Sequence, residues 1–317
     1  MNTTNTSNQW LLILAFTAIY IIWGTTYLAI LIGLHGFPPF LLASVRFLIA
    51  AICLLGWCFY KGERKITLSS LKKNFIVGVI VLAGGQGLLI WAEQHIASGY
   101  AAVLAATLPV WFVILDKEHW KSCFSNKFII LGLLLGFVGI LFLFSEQLHA
   151  PLNDTDKNYG ILATLAVLIG CMCWVGGTLY FKYKPAPGSI TFNLGWQLIC
   201  GALFCFTLSI ISGELSFFSI ETVKLEAWVA VSYLAVAGSV IAFIAYSWLL
   251  TQKPAAIVGT YAYINPVIAV LLGWIIAKEI ISTNQLSGMA LILISAMLIN
   301  FSKSKLFSKN QKIKIRN

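Results

Sequence analysis

Long apolar runs separated by short polar connections fill almost the whole chain, and no other feature constrains its fold as strongly. A helix needs roughly 20 apolar residues to cross the hydrocarbon core of a bilayer. Ten runs approach that length: 10–32, 39–60, 75–93, 99–115, 128–145, 159–181, 191–212, 228–250, 255–277 and 286–301. They predict an all-α polytopic membrane protein with ten transmembrane helices. Strands of a transmembrane β-barrel would alternate polar and apolar residues over about ten positions, whereas these runs are apolar throughout.

The scarcity of charge agrees with this class. Charged residues make up 10% of the chain and hydrophobic residues 59%, whereas soluble proteins carry about 25% charged residues. The loops between the runs leave no room for a soluble domain. Residues 1–45 contain no Lys or Arg, so the first run lacks the basic segment of a cleaved signal peptide and is expected to remain as a helix.

Basic residues concentrate on one side of the predicted membrane. With a cytoplasmic N-terminus, 17 of the 21 Lys and Arg residues fall in inside loops and the C-terminal tail, three fall outside, and Arg46 lies within a run. This asymmetry follows the positive-inside rule and predicts that both termini are cytoplasmic. It explains the net charge of +10 without a nucleic-acid partner. The basic tail, 302–317, either reports topology alone or also contacts anionic lipid headgroups.

The chain divides into two similar halves at the polar connection 146–159. The predicted repeats are 10–145 and 159–301, with five runs each. Trp23 corresponds to Trp174 at an offset of 151 residues. Further landmarks recur at offsets of 151 to 157: Arg46 with Gln197, "AGGQG" from Ala83 with "AGSVI" from Ala237, and Pro109 with Pro266.

An odd number of helices per repeat makes the second repeat enter the membrane inverted. Inverted repeats are typical of secondary transporters, whose substrate site lies near the midplane between the halves. The sequence therefore predicts alternating access for a small-molecule substrate within the lipid bilayer. Because one chain holds both repeats, a monomer would suffice for a complete pathway.

Two prolines occupy corresponding places inside predicted helices, Pro109 in run 99–115 and Pro266 in run 255–277. Each lacks an amide hydrogen and crowds the carbonyl four residues earlier. We expect kinks at both positions, beside the substrate pathway. The alternative is an ordinary proline kink of the kind that transmembrane helices tolerate.

Polar and large aromatic side chains in the middle of several runs are the candidates for a pathway lining. Some share a helix face through their spacing, as Tyr261 and Asn265 do at four residues apart. The candidate pathway residues are Trp23, Thr26, Tyr27, Arg46, Gln86, Glu93, Trp174, Gln197, Tyr261 and Asn265. Core packing or an interfacial aromatic belt is the alternative explanation for the aromatic members.

Arg46 is the first charged residue of the chain and lies about 9 Å from the outer end of its run. A charge at the centre of a membrane helix costs about 2.5–3.5 kcal/mol on insertion scales, so such residues usually face a cavity or a partner. Glu93 is the one acid at comparable depth in a neighbouring run. We expect Arg46 to face the interior, to pair with Glu93 in some states and to attract a substrate carboxylate. The alternatives are snorkelling to headgroups and a fixed structural ion pair.

The sequence contains no pattern for metal binding, a cofactor or catalysis. No Walker-type loop or CxxC pair is present, and the four histidines fall at helix ends or in loops. An intramembrane enzyme would need a nucleophile and a base, or a metal triad, at membrane depth. Hence we expect neither a metal nor a cofactor, and no enzymatic activity.

Several segments together resemble EamA-domain transporters of the drug/metabolite transporter superfamily. The similar segments are "IIWGTTYLAI", "PPFLLASVRFLIAA", "SGYAAVLAATLPV", "YAYINPVIAVLLGW" and "KEIISTNQLSGMALILISA". The resemblance covers about residues 15–300 and includes Glu279, which matches a glutamate of the final helix pair. It implies two inverted five-helix repeats and an inner-membrane exporter of amino acids, related metabolites or drugs.

The leading functional hypothesis is a secondary exporter of a small metabolite such as an amino acid. Multidrug or toxic-compound efflux by the same fold is one alternative, and a non-transporting membrane scaffold is another. Convergence of the candidate residues on one central space would favour transport, and their dispersal toward lipid would favour the scaffold. Members of this family differ widely in substrate, so the resemblance does not select one.

Overall fold

The computed structural model describes residues 4–96, 98–143, 145, 157–277 and 282–314, which are mostly helical, with short turns and loops between the helices and no strand. Six helical stretches are long and apolar enough to cross a membrane: Gln9–Leu34, Pro39–Tyr60, Leu68–Ala92, Tyr159–Tyr183, Ile190–Ile211 and Leu225–Gln252. Shorter apolar helices are Lys127–Phe142, Ala255–Ile268 and Thr283–Ile299. The expected boundary connection lies largely outside the described residues, as does Glu279.

The helices of the first half pack around a buried apolar core shared with the second half. They are α1 (Thr4–Leu34), α2 (Pro39–Tyr60), α3 (Leu68–Val77), α4 (Leu88–Ala92), α5 (Ser98–Ala105), α6 (Leu108–Leu115), α7 (Trp120–Phe124) and α8 (Lys127–Leu143). A π-helical segment, Gly78–Gly87, joins α3 to α4 without a break.

The second half repeats this order. Its helices are α9 (Lys157–Tyr183), α10 (Ile190–Ile211), α11 (Glu214–Phe217), α12 (Leu225–Tyr233), α13 (Ala242–Gln252), α14 (Ala255–Val258), α15 (Tyr261–Ala277) and α16 (Thr283–Lys314). A second π-helical segment, Leu234–Ile241, joins α12 to α13. Because α16 runs to Lys314, most of the expected tail continues the last helix.

The π-helical segments occupy equivalent places in the two halves, in the regions that the "AGGQG" and "AGSVI" landmarks mark. Helices with i→i+5 bonding are rare in proteins, and those that occur are often found at functional sites. The segments carry Gly85 and Gln86 in the first half, and Gly238 and Ser239 in the second. Their side chains and carbonyls supply groups to the centre of the molecule, as described below.

Pro109 does not lie inside a continuous helix as the sequence suggested, whereas Pro266 does. Pro109 stands in the first turn of α6, after a break that follows Ala105. Pro266 lies inside α15, and the break in that half precedes Tyr261. Proline is tolerated in a first helical turn because the amide there has no intrahelical acceptor. Both halves therefore have an interrupted helix at the expected place. Pro109 lies in the first turn after its interruption, whereas Pro266 lies in the interior of its helix.

Packing between the halves is preserved when the halves are exchanged. The first helix of each half packs on the interrupted helix of the other half, as α1 does on α15 and α9 on α5 and α6. Likewise α2 packs on the second π-helical segment and α10 on the first. Equivalent helices also pair with each other, α2 with α10 and α8 with α16. The interface between halves consequently runs through the centre of the molecule.

Two glutamates at an offset of 151 residues bind the N-terminal ends of equivalent helices across this interface. The carboxylate of Glu214 accepts hydrogen bonds from the amides of Phe40 (3.1 Å) and Leu41 (2.9 Å) at the start of α2. The carboxylate of Glu63 accepts from the amide (2.8 Å) and hydroxyl (2.6 Å) of Ser189, which caps α10. A carboxylate at a helix N-terminus satisfies free amides and opposes the helix dipole. Each half thus completes a helix of the other.

Candidate functional site

A cavity of about 80 Å³ lies at the interface between the halves. A void of roughly 10–15 Å³ suffices for one water molecule, so this cavity has room for several waters or part of a small solute. Eight of the ten candidate pathway residues line it: Trp23, Thr26, Tyr27, Arg46, Gln86, Trp174, Tyr261 and Asn265. They come from α1, α2, the first π-helical segment, α9 and α15.

An aromatic cluster forms one end of the cavity, with one ring from each of four helices. The cluster consists of Trp23, Trp174, Tyr246 and Tyr261, all buried. Ring centroids of Trp23 lie 4.7 Å from Tyr261, 5.1 Å from Tyr246 and 5.5 Å from Trp174. Edge-to-face pairs at such distances contribute about 0.5–1.5 kcal/mol beyond their burial. The cluster therefore closes the cavity at this end and also stabilises the interface.

Hydrogen bonds fix the orientation of both indoles. Nε1 of Trp23 donates to the carbonyl oxygen of Gly238 in the second π-helical segment (3.0 Å). Nε1 of Trp174 lies 3.2 Å from the hydroxyl of Tyr246, which is 3.0 Å from the hydroxyl of Thr178. A buried indole or phenol needs a partner for its polar atom. These bonds hold the two indoles edge to face against each other beside the cavity.

Arg46 faces the cavity and is 2% exposed. Its Nε donates to the hydroxyl of Ser239 at 2.8 Å, and that hydroxyl donates to the carbonyl oxygen of Leu234 at 3.0 Å. A side chain at Gly238 would approach the guanidinium to 3.2 Å, so glycine leaves room for it. No other hydrogen bond from Arg46 is made to the described residues, which leaves its terminal amino groups available to a ligand.

The ion pair expected between Arg46 and Glu93 is not formed in this conformation. Within the described part of the chain, neither carboxylate oxygen of Glu93 has a hydrogen-bond or ion-pair partner. Glu93 is 5% exposed and ends α4, close enough to interact electrostatically with Arg46 and Tyr27. Ser239 takes the place of Glu93 because the second π-helical segment brings its hydroxyl directly to Nε of Arg46.

Gln197 does not line the cavity. Its amide donates to Oδ1 of Asn74 at 3.2 Å, and Nδ2 of Asn74 donates to Oδ1 of Asn193 at 2.8 Å. It borders a separate small void with Tyr246 and Thr178, on the far side of the aromatic cluster. The offset of 151 from Arg46 thus predicted an equivalent position within the fold, but the two positions face opposite ends of the cluster.

Asn265 and Thr26 use their polar groups partly to satisfy neighbouring backbone. With its nitrogen oriented toward them, the amide of Asn265 donates to the carbonyl oxygens of Tyr261 (2.9 Å) and Tyr20 (3.3 Å). The hydroxyl of Thr26 donates to the carbonyl oxygen of Trp23 at 2.7 Å. In contrast, Oε1 of Gln86 is buried without a partner among the described residues. Gln86 therefore offers an unused acceptor to the cavity.

Three residues of the site were not among the candidates. Tyr246 completes the aromatic cluster. It lies near the end of run 228–250, where an interfacial tyrosine is the ordinary interpretation. Gly238 and Ser239 belong to the "AGSVI" landmark that revealed the repeat, but their contacts with Trp23 and Arg46 depend on the π-helical backbone. Among the residues described, no group of three or more His, Cys, Asp or Glu side chains could hold a metal ion.

A polar cluster ties the end of α6 to the end of α9, away from the cavity. The hydroxyl of Tyr183 donates to Oδ1 of Asp116 at 2.6 Å, and Nδ1 of His119 lies 3.1 Å from Oδ2. Burial would raise the pKa of the Asp116 carboxyl, but the hydrogen bonds from His119 and Tyr183 and the charges of His119 and Lys182 outweigh it and lower the pKa. The ionised carboxylate therefore fastens one half to the other.

Replacement of Asp116 with asparagine is expected to lower the free energy of unfolding by about 1.5–3 kcal/mol at neutral pH, the range for hydrogen bonds to charged groups. Since the folded pKa is depressed, this stabilisation is present above the usual aspartate value of about 3.9 and is lost as the pH falls through the folded value. Thermal unfolding of the Asp116→Asn variant and the parent in detergent, from neutral to acidic pH, measures this difference in stability. The exposed neighbour Glu118, changed to glutamine, is the control. Equal stability of the Asp116 variant and the parent at neutral pH would contradict the prediction.

Comparisons with known proteins agree with this architecture. The model of the EamA-like transporter family matches residues 9–145 and 161–301, one copy in each half. The chain is 32% identical over 297 residues to YedA of Escherichia coli (strain K12), called an uncharacterized inner membrane transporter, which covers 91% of this chain and 90% of that protein. It is 25% identical to YoaV of Bacillus subtilis (strain 168), called an uncharacterized transporter, over 92% of this chain and 97% of that protein.

A further relative and a solved structure extend the comparison. Protein PecM of Dickeya dadantii (strain 3937) is 26% identical over 92% of this chain and 93% of its own length. A crystal structure with 20% sequence identity superimposes with a TM-score of 0.72 and covers 92% of this chain and 98% of that one. The likeness at this identity shows a shared fold. With two matched family domains and a relative above 30% identity, the chain is a membrane transporter and not an enzyme, and it belongs to the EamA-like transporter family.

Proposed function

We propose that this protein carries a small solute across the inner membrane through the central cavity, by alternating access. The observation that supports the proposal most directly is the convergence of eight candidate residues from both halves on one central cavity. A scaffold would be expected to have a sealed apolar core instead. A secondary transporter is driven by an ion gradient, by exchange or by the gradient of its own substrate. Such a mechanism needs no nucleotide-binding loop, and the sequence contains none.

The proposed topology has ten membrane spans in two inverted five-helix repeats, with both termini cytoplasmic. The exchange symmetry of the packing supports the repeats, and the distribution of basic residues supports the orientation. In this orientation the cavity opens from the aromatic cluster toward the outer side. Gln197 lies on the inner side of the cluster, where the equivalent space would open when the halves exchange conformations. One chain contains both spaces, so a monomer suffices.

The chemistry of the cavity favours a small amphipathic solute with a carboxylate, such as an amino acid. Arg46 supplies a positive charge that forms no ion pair with the described residues, Gln86 supplies an acceptor, and the aromatic rings supply flat apolar surface. The same positive charge would repel lipophilic cations in a medium of low dielectric constant. This argues against efflux of cationic drugs as the main activity. Export as the direction follows the resemblance to metabolite exporters.

Flux measurements in proteoliposomes test this function. The purified protein should exchange one or more members of a panel of radiolabelled amino acids and related carboxylates, with saturation and above the rate in empty liposomes. Gly85 lines the cavity, and a side chain there would meet the ring of Trp174 at 3.2 Å. The Gly85→Leu variant should lose flux by about tenfold or more, since overfilling a packed site costs about 1–3 kcal/mol.

Gly176 provides the matched control, because it is exposed and a side chain there meets nothing within 4 Å. Gly176→Leu should transport as the parent does. Equal flux through the Gly85 variant and the parent would exclude this cavity as the pathway. Absence of flux for the whole panel, with cationic dyes transported instead, would favour the multidrug alternative.

A further inference from the structure

Two lateral grooves of nearly equal volume flank the third helix of each half. One groove, of about 570 Å³, lies between α3 and α10. The other, of about 560 Å³, lies between α12 and α1. The wall formed by α3 consists of Leu71, Lys72, Phe75 and Ile76, together with Leu68. At an offset of 154 residues, the wall formed by α12 contains Leu225, Glu226, Val229 and Ala230, together with Tyr233. The same helix face thus lines a groove in both repeats.

The charge at the rim of the groove is inverted between the repeats. Lys72 and Glu226 occupy equivalent positions, and most of the residues around them are apolar. Lys72 is exposed and makes no hydrogen bond or ion pair with the described residues. The ammonium of its neighbour Lys73, in contrast, donates to the carbonyl oxygen of Pro185 at 3.1 Å. Lys72 is therefore a basic group that is available to a ligand at the mouth of an apolar groove.

Trp196 on the opposite wall of the groove supplies a second unused polar group. Its Nε1 is buried and has no acceptor among the described residues. Lys72 lies about 6 Å along α3 from its first residue, and Trp196 lies about 9 Å along α10 from its first residue. Both helices begin on the same side, which is the cytoplasmic side in the proposed topology. A headgroup anion at Lys72 and an ester carbonyl at Trp196 would have the spacing of a phospholipid entering the bilayer.

We propose that the groove between α3 and α10 binds one anionic phospholipid of the cytoplasmic leaflet. The phosphate binds Lys72, an acyl chain lies along Phe75, Ile76 and Leu203, and an ester carbonyl accepts from Nε1 of Trp196 once the indole turns toward the groove. The assignment to the cytoplasmic leaflet rests on the topology given under the proposed function. The groove beside Glu226 would repel an anionic headgroup and accepts neutral or zwitterionic lipid.

Native mass spectrometry of the full chain in detergent, with added phosphatidylglycerol or phosphatidylcholine, tests the proposal. The parent should bind phosphatidylglycerol more tightly than phosphatidylcholine with the same acyl chains. Lys72→Gln should weaken phosphatidylglycerol binding about fivefold, the factor that corresponds to about 1 kcal/mol per basic residue near an anionic surface. Lys65→Gln, in the preceding loop, should leave that affinity unchanged.

Further experiments test whether the whole lipid or its headgroup alone binds, and whether the groove lies on the cytoplasmic side. Leu203→Trp, which fills the groove, should weaken both lipids, and soluble glycerol phosphate should not compete. Equal binding of both lipids by the parent, an unchanged Lys72→Gln variant, or full competition by glycerol phosphate would overturn the proposal. The readout needs no transported solute, so loss of lipid selectivity with intact flux rejects only the lipid site. Labelling of a Lys72→Cys variant from the outside alone would reject the proposed topology.

Discussion

Replacing Arg46 with glutamine is expected to raise the KM for a transported carboxylate by about 10- to 100-fold. The terminal amino groups of this buried guanidinium make no hydrogen bond to the described residues and face the cavity. A hydrogen bond to a charged group contributes about 1.5–3 kcal/mol, and glutamine removes the charge and the terminal amino groups while keeping a donor near the position of Nε. Concentration dependence of flux in proteoliposomes measures the change, with the best substrate of the amino-acid panel.

Two variants frame this result. Arg46→Lys keeps the charge but loses the hydrogen bond of Nε to Ser239 and the planar fork of donors, so it should fall between the parent and the glutamine variant. Arg64→Gln removes an exposed arginine outside the cavity and should leave the KM unchanged. If Arg46→Gln transports with the KM of the parent while remaining folded, the guanidinium is a structural group and the substrate binds elsewhere in the cavity.

Replacing Gly139 with leucine is expected to lower the free energy of unfolding by about 3 kcal/mol, the upper end for overpacking. Gly139 lies where α8 packs on α16. A methyl group at this position would lie 2.9 Å from the carbonyl oxygen of Gly288 and 3.0 Å from the amide nitrogen of Ile292. Since both contacts are backbone atoms, a rotamer change cannot relieve them and the helices must separate. Helix pairs in membranes depend on such close approach.

Thermal unfolding in detergent measures this loss, and Gly56→Leu is the matched control. Gly56 is exposed, and an added side chain meets nothing within 4 Å. Leucine there replaces a weak helix former with a strong one, so the stability should be unchanged or slightly higher. An unfolding temperature of the Gly139 variant equal to that of the control would show that α8 and α16 can separate without loss.

The helices, the internal repeat and most of the cavity lining could be predicted because each leaves a pattern in the sequence. Apolar runs of membrane length produce the helices. A recurring offset of 151 to 157 residues relates landmarks such as Trp23 and Trp174 across the two halves. Polar groups such as Arg46 and Asn265 are costly in lipid, so their presence in the middle of runs already indicated an interior position. Their convergence follows from the interface that the two halves form.

The local backbone was not predictable from the same patterns. A π-helical segment has nearly the apolar composition of an α-helix, so nothing in residues 78–87 distinguishes the two. The contact of Arg46 with Ser239 in place of Glu93 depends on the second π-helical segment, Leu234–Ile241. Gln197 was misplaced because an offset identifies equivalent positions but not which side of the aromatic cluster each one faces. Glu63 and Glu214 carry no signal until α2 and α10 are brought together.

The reciprocal binding of helix ends by Glu63 and Glu214 has a consequence for biogenesis. When α2 enters the membrane, the carboxylate that satisfies its first amides has not been synthesised, because Glu214 follows more than 170 residues later. The first half must therefore wait with an incomplete helix end until α10 has been inserted beside it. The docking of the two halves is then a late event, and either half made alone would lack the carboxylate that binds one of its helix ends.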